Sequence, residues 1–296
     1  MPVKALVTGA AGFVGRHVAA ELDRRGWDVL TCDIADPKAP FDALKLFAPG
    51  AVPVTRFDLI VHAAASAPHR AAIDGEAEHF ARNVHLDSAM FDWAVRTGQG
   101  RVLYLSSSAA YPTIYQVPTG VALNEGMLDP EYAEEPDAAY GWTKLTGERM
   151  AEAARRKGLP VTVVRPFSGY GEDQSENFPF RAITERARRR EDPFVIWGDG
   201  RQVRDWIHIS DVVAGMLAVV ESGTDEPVNL CTGLGYSMLA LAELACAEVG
   251  YTPEFQFLTD KPGGVAYRVG DPERFLKYYD PQVSLAEGVA RALAAK

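Results

Sequence analysis

Hydrophobic positions in the first half of the chain follow two alternating periods. Short apolar runs, many of them β-branched, occupy residues 3–8, 29–33, 58–64, 101–106 and 161–165 and read as strands. Between them, apolar residues recur every three or four positions. Residues 13–25 carry Val14, Val18 and Leu22 at that spacing and stop at Gly26, which predicts a helix with a glycine end. Residues 76–97 (with Phe80, Val84, Phe91 and Val95) and 140–157 predict two more helices. Apolar strands alternating with helices predict an α/β fold on a doubly wound parallel sheet covered on both faces.

The second half is less regular. Helices are predicted at 178–190, 237–249 and 285–293, and strands at 194–197 and 228–231. Residues 207–220 read as a strand running into a helix, with Ser210 as the cap. No Ser/Gly linker separates the halves. We therefore expect a smaller C-terminal lobe packed against the sheet domain, with the chain crossing between them. Residues 1–165 plus about 206–232 would form the sheet domain, and about 166–205 plus 233–296 the lobe. Residues 34–57 contain Pro37, Pro40, Pro49, Gly50 and Pro53 and one short helical stretch, 42–47. A full strand–helix unit would stand there in a regular alternation, and it is cut down.

Composition narrows the function classes. The 296 residues are 47% hydrophobic and 24% charged, enough to bury a sizeable core. The 30 basic and 40 acidic residues give a net charge of −10, which disfavours nucleic acid and anionic membrane surfaces as partners. No stretch approaches the ~18 apolar residues of a membrane span. Cys32, Cys231 and Cys246 have no CxxC or ligand spacing and read as buried, reduced thiols. The N-terminus runs straight into a strand without a signal peptide, so a cytoplasmic protein is expected. No His/Asp/Glu cluster has metal-ligand spacing, and no metal is expected.

Gly9-Ala-Ala-Gly12-Phe13-Val14-Gly15 follows the first strand and opens the first helix. Gly9 permits the tight turn, Gly12 lets backbone approach a pyrophosphate, and Gly15 allows close helix packing. Free N–H groups at the helix start attract phosphate. Asp33, at the end of the second strand, stands where a carboxylate would hold adenosine ribose hydroxyls. It favours NAD over NADP, because it repels a 2′-phosphate. A dinucleotide site follows.

Tyr140-Gly-Trp-Thr-Lys144 places a tyrosine and a lysine on one side of a helix. A phenol is a poor base near neutrality, and an ammonium beside it favours the phenolate. Such a pair can move the proton of a sugar hydroxyl. The run Ser106-Ser107-Ser108 ends the preceding strand, where parallel sheets bind ligands.

Taken in order, Gly9–Gly15, Asp33, His62-Ala63-Ala64-Ala65, Asn83, Ser106–Ser108, Tyr140–Lys144, Arg165–Gly171, Trp197–Asp211, Arg268–Asp271 and 285–288 resemble an extended short-chain dehydrogenase/reductase. The branch resembled is the NAD-dependent epimerase/dehydratase family acting on nucleotide sugars. This implies a Rossmann-type fold, NAD as cofactor, a nucleotide-diphosphate sugar as substrate and a homodimer formed through helices 76–97 and 140–157. It implies Tyr140 as acid/base, Lys144 as its partner and Ser107 as the active-site hydroxyl, four residues before Tyr111. Gly9, Gly12, Phe13, Val14, Gly15, Asp33, Ile34, Ala63, Ala64, Ala65, Asn83, Ser106, Tyr140, Lys144 and Pro166 would bind cofactor. Ser107, Ser108, His69, Ser168, Asn177, Arg204 and Arg268 would bind substrate, the two arginines clamping its pyrophosphate.

The shortened 34–57 segment lacks the usual third strand. Residues 113–139 are long and carry Glu125, Glu131, Glu134, Glu135 and Asp137, which suggests either a lid or a solvated loop. The positions after Ser107 are Ser108 and Ala109, not the acids or cysteine that the family's dehydratases, decarboxylases and 3,5-epimerases use. The expectation is a 4-epimerase that recycles NAD through a 4-keto sugar. A one-way C4 ketoreductase or a dehydratase is the alternative, and a non-catalytic NAD-binding regulator the remote one.

Overall fold

A computed structural model describes residues 3–36, 41–50, 55–66, 77–128, 135–261 and 263–295. Five strands of the first half and one of the second form a parallel sheet. β1 (Lys4–Thr8) leads to α1 (Phe13–Arg24), β2 (Asp28–Cys32), the short α2 (Ala43–Phe47) and β3 (Leu59–His62). Then come α3 (Ala77–Arg96), β4 (Arg101–Leu105), α4 (Ala138–Arg156) and β5 (Val161–Pro166).

Side chains alternate between the two faces of a strand, and the sheet's faces divide accordingly. Ala5, Val7, Leu59, Val61, Leu103 and Val164 pack with Val18 and Leu22 of α1. Leu6, Ile60, Val102, Tyr104 and Val163 pack with Phe47 of α2, Phe91 and Trp93 of α3 and Ala151 of α4. This is why the strands read as unbroken apolar runs.

The C-terminal half adds β6 (Ser168–Tyr170), α5 (Pro179–Arg188), β7 (Phe194–Trp197), β8 (Val203–His208), α6 (Ile209–Ser222) and β9 (Val228–Leu230). Last come β10 (Gly235–Ser237), α7 (Met238–Glu248), β11 (Phe255–Leu258), β12 (Tyr267–Arg268) and α8 (Leu285–Ala294). The six-stranded sheet runs β2-β1-β3-β4-β5-β9. β2 lies at its edge and is largely exposed. A second sheet contains β8 flanked by β10 and β12, with β6 also on β8, and β7 pairs β11. Tyr170, Phe180, Ile183, Phe194, Trp206, Leu241 and Val289 form a separate core there.

Two local readings change. Ser210 does not cap α6. The side chain of His208 accepts from the N–H of Ser210 and holds the cap position instead. No strand is predicted from the sequence at β6, β10, β11 or β12, which are each held by pairing with a strand elsewhere in the chain. Among the described residues, no helix is long and apolar enough to cross a membrane. The three cysteines are free and buried.

Candidate active site

Parallel register brings the carboxyl ends of β1 to β5 into one row. Thr8 pairs with Cys32 and with His62, His62 with Tyr104, and Leu105 with Val164. The residues just beyond are Gly9, Asp33, Ala63, Ser106 and, next to the end of β5, Phe167. Ligands of such sheets bind along that edge.

The glycine loop is packed to the limit. Gly9 has φ +69°, and a Cβ there would stand 2.6 Å from the Ala64 nitrogen. A Cβ on Gly15 would stand 2.0 Å from the Gly9 carbonyl oxygen. Gly12 caps α1 without a side chain, and the first turn carries no acid. The start of α1 therefore presents backbone N–H groups and the positive end of the helix dipole. Asp33 is held in place: Oδ2 accepts from the Ala11 N–H at 2.9 Å and Oδ1 from the Ala35 N–H at 2.8 Å. Ile34 beside it is 53% exposed. On the other side of the loop, Asn83 fixes Ser66 through two backbone bonds of 2.7 and 3.0 Å, which sets the segment containing Ala63, Ala64 and Ala65. Phe13 lies beside Gly171, and Val14 packs on the sheet core. This cradle fits a dinucleotide diphosphate with its ribose at Asp33.

Behind the cradle is a fully buried polar chain. His62 reaches Thr8 Oγ1 at 2.9 Å and Asp87 Oδ1 at 3.0 Å, and the Tyr104 hydroxyl donates to Asp87 Oδ2 at 2.6 Å. Burial and the Asp87 charge push the Tyr104 hydroxyl well above the ordinary tyrosine range.

α4 carries Tyr140, Lys144 and Glu148 on one stripe. Lys144 Nζ donates to the Leu105 carbonyl at 2.8 Å and lies 5.7 Å from the centroid of the Tyr140 ring. The first turn of α4 rests on the turn after β4, where a Cβ on Gly141 would stand 2.3 Å from the Ala109 oxygen. Ser107 has extended backbone, and its Oγ accepts from the Ala109 N–H at 3.1 Å.

One helical turn on, Glu148 is buried. It accepts from the Ser106 hydroxyl at 2.5 Å and from Arg165 at 2.9 and 2.7 Å. Arg165 also donates to the Tyr111 hydroxyl at 3.0 Å. The Ser106 side chain is thus committed to the core.

That cleft has a volume of about 520 Å³, within the range of small-molecule sites. The structure brings Ser107, Ser108, Tyr140, Ser168, Asn177, Arg204 and Arg268 to its walls. β12 and β8 pair in register, so Arg268 stands opposite Arg204. His69, Glu131 and Glu134 lie outside the described residues.

Sequence reasoning missed Asp137, Trp197 and Gln202 as cleft-lining residues. Asp137 had been part of an acidic run. Its position three residues before Tyr140, at the start of the helix, was the available signal. The described part of the long 113–139 segment is no flap: Gln116, Leu123 and Leu128 are buried in it. Glu125 is also buried there, its Oε1 accepting from the Asn229 N–H at 2.9 Å. Among the described residues, no group of three ligating side chains could hold a metal ion.

The sheet order, the glycine loop at a helix start, Asp33 and the Tyr140–Lys144 pair beside a cleft define a Rossmann-type dinucleotide-binding enzyme fold. The chain belongs to the NAD dependent epimerase/dehydratase family, whose model matches residues 5–231. It is 28% identical to dTDP-4-dehydro-6-deoxy-D-allose reductase of a Streptomyces species, over 94% of this chain and 91% of the relative. Its structure resembles UDP-glucose 4-epimerase of Thermotoga maritima, solved with UDP-glucose, with a TM-score of 0.84 and 26% identity over 98% and 97% of the two chains. It also resembles the dTDP-glucose 4,6-dehydratase DesIV of Streptomyces venezuelae, solved with NAD bound, with a TM-score of 0.82 and 26% identity over 98% and 96%. Three different reactions at similar distance define the family and leave the reaction to the residues of the site.

Proposed function

We propose that the protein is an NAD-dependent epimerase that inverts C4 of a nucleotide-diphosphate sugar through a transient 4-keto sugar. The observation that carries this reading is the chemistry of the turn beside Tyr140. Ser108 and Ala109 follow Ser107, and neither can protonate a leaving hydroxyl or remove a carbon-bound proton. Glu125 is taken up by the Asn229 backbone in the core. Before substrate enters, the carboxylates of Asp137 and Glu176 on the cleft wall are paired with Arg268 and Arg189.

The cradle from Gly9 to Gly15 takes the dinucleotide diphosphate at the start of α1, with Ala63, Ala64 and Ala65 along one side. The Asp33 carboxylate favours free ribose hydroxyls, and so NAD over its 2′-phosphate. NAD supplies the hydride acceptor and donor when bound. Tyr140 takes the proton of the C4 hydroxyl and returns it to the other epimer. Ser107 donates to the same oxygen, and Lys144, anchored on Leu105, keeps a positive charge beside the phenolate. Arg204 and Arg268 hold the diphosphate while the keto sugar turns over, with Ser168 and Asn177 along the wall. The sheet domain (1–165 plus about 206–232) then serves the cofactor and the lobe (166–205 plus 233–296) the substrate. α3 and α4 are the proposed dimer helices.

The similarity to an allose reductase favours a second reading, one-way reduction of a 4-keto sugar. Incubating the purified protein with UDP-, dTDP- and GDP-sugars in deuterated water separates the cases. The epimerase yields a C4 epimer with no solvent deuterium at C3 or C5 and no net change in NAD. Deuterium at either carbon, loss of water, or stoichiometric consumption of reduced cofactor would overturn it.

A further inference from the structure

An aspartate at a helix N-cap ordinarily accepts a hydrogen bond from the N–H two or three residues on. Asp137 holds the N-cap position of α4 and makes no such bond. Its Oδ2 accepts instead from Arg268 Nη2 at 2.6 Å, with both side chains about nine-tenths buried. Arg268 Nε donates to Oε1 of buried Gln116 at 2.5 Å, and Gln116 is pinned to the Tyr111 carbonyl at 2.8 Å. The residue after Asp137 is strained. Ala138 has φ +59°, a left-handed conformation that a side chain with a Cβ rarely adopts. Tyr140 comes two residues later. The first turn of the catalytic helix, not capped by its own aspartate, is thus tied to an arginine of β12 that also lines the cleft.

That arginine stands opposite Arg204 across the β12–β8 pair. Like charges directly opposite repel, and Asp137 offsets the charge of Arg268. A diphosphate bound at Arg268 would compete with Asp137 for the same N–H donors.

We propose that Asp137 is a positioning residue that couples diphosphate binding to the catalytic helix: the diphosphate takes over Arg268, and the released carboxylate caps α4 at the N–H of Tyr140. The inference rests on the reading of the cleft as a nucleotide-diphosphate-sugar site. No covalent bond is made or broken; one hydrogen-bonded ion pair is exchanged for another and for a capping hydrogen bond. Part of the diphosphate's binding free energy is thereby used to set the turn that carries Tyr140, so it appears in turnover and not in ground-state affinity.

Two variants separate charge from cap. Alanine at position 137 removes both, whereas asparagine removes the charge and keeps a side chain that caps as well as aspartate. For the NAD-loaded protein titrated calorimetrically with UDP, dTDP and GDP, both Asp137→Ala and Asp137→Asn should bind the accepted diphosphate several-fold tighter than wild type. Turnover of the sugar substrate should fall about tenfold in Asp137→Ala, with KM falling as well, and return most of the way in Asp137→Asn. A merely structural lesion would weaken binding and turnover together and lower the melting temperature. Unchanged or weaker diphosphate affinity in both variants would overturn the exchange, and equal loss of turnover in both would overturn the cap. Failure of the wild-type protein to bind any of the three diphosphates would instead overturn the reading of the cleft, before any variant is compared.

Discussion

Tyr140 and Lys144 stand one helical turn apart, and the lysine is fixed by a backbone carbonyl of the neighbouring strand. Substituting Tyr140→Phe removes the proton acceptor and keeps the ring. We expect turnover to drop ~10²–10⁴-fold, the usual reach of one general acid/base, with NAD binding retained. Single-turnover absorbance of reduced cofactor alongside NAD titration checks both halves. Arg204→Ala should weaken nucleoside diphosphate binding by about 1.5–3 kcal/mol, the range of a charge-assisted hydrogen bond, as read by calorimetry. Cys32 shows the opposite case, a reactive group made inert. Burial and the neighbouring Asp33 charge push its thiol up to about 11. Thiol alkylation at pH 7.5 should therefore leave Cys32 unmodified in the folded protein and label it after denaturation, by peptide mass spectrometry. Asp33 was legible in the sequence because strand, helix and carboxylate follow one another along the chain. Asp137 was not, because its partner is 131 residues away.

The glycine loop behaves as one element with the start of α1. Gly15→Ala places a methyl group 2.0 Å from the Gly9 oxygen, so the backbone of the loop must shift. We expect loss of NAD binding together with a lower melting temperature, separable by unfolding the variant with and without NAD. α4 carries the other element-scale effect. Below Lys144, Glu148 is the counter-charge of Arg165, with both side chains almost fully buried. Glu148→Gln leaves that arginine without a carboxylate, and one-sided loss of a buried pair costs about 3–5 kcal/mol. Denaturant unfolding should show a lower midpoint at an unchanged slope. The long strands and helices of the first half were legible because each carries its own period. β6, β10 and β12 were not, because each is held by pairing with a strand that lies elsewhere in the chain.

Across the molecule, buried tyrosines lower stability at alkaline pH. Tyr111 is pushed up to about 12 by burial, against the lowering effect of Arg165, and Tyr104 lies above its ordinary range. Both hold their protons more tightly folded than unfolded. Their contribution is fully present below the ordinary tyrosine pKa of about 10 and is lost as pH rises toward 12. Each group should steepen the fall by about 1.4 kcal/mol per pH unit in that window. Denaturant midpoints measured from pH 9 to 12 check this, and Tyr111→Phe should flatten the slope.

By itself the sequence determined what depends on near neighbours. It specified the strand–helix alternation, the parallel sheet, the glycine loop with Asp33, and the Tyr140–Lys144 spacing. All of these follow from periodicity and from conformational limits acting over a few residues. The tertiary structure alone decided what depends on chain closure. It brought Arg204 and Arg268 into register on neighbouring strands, buried Glu125 away from the cleft and turned Asp137 from its own helix toward Arg268. Such contacts are selected by the packing of whole elements, and their energies do not exist until those elements meet.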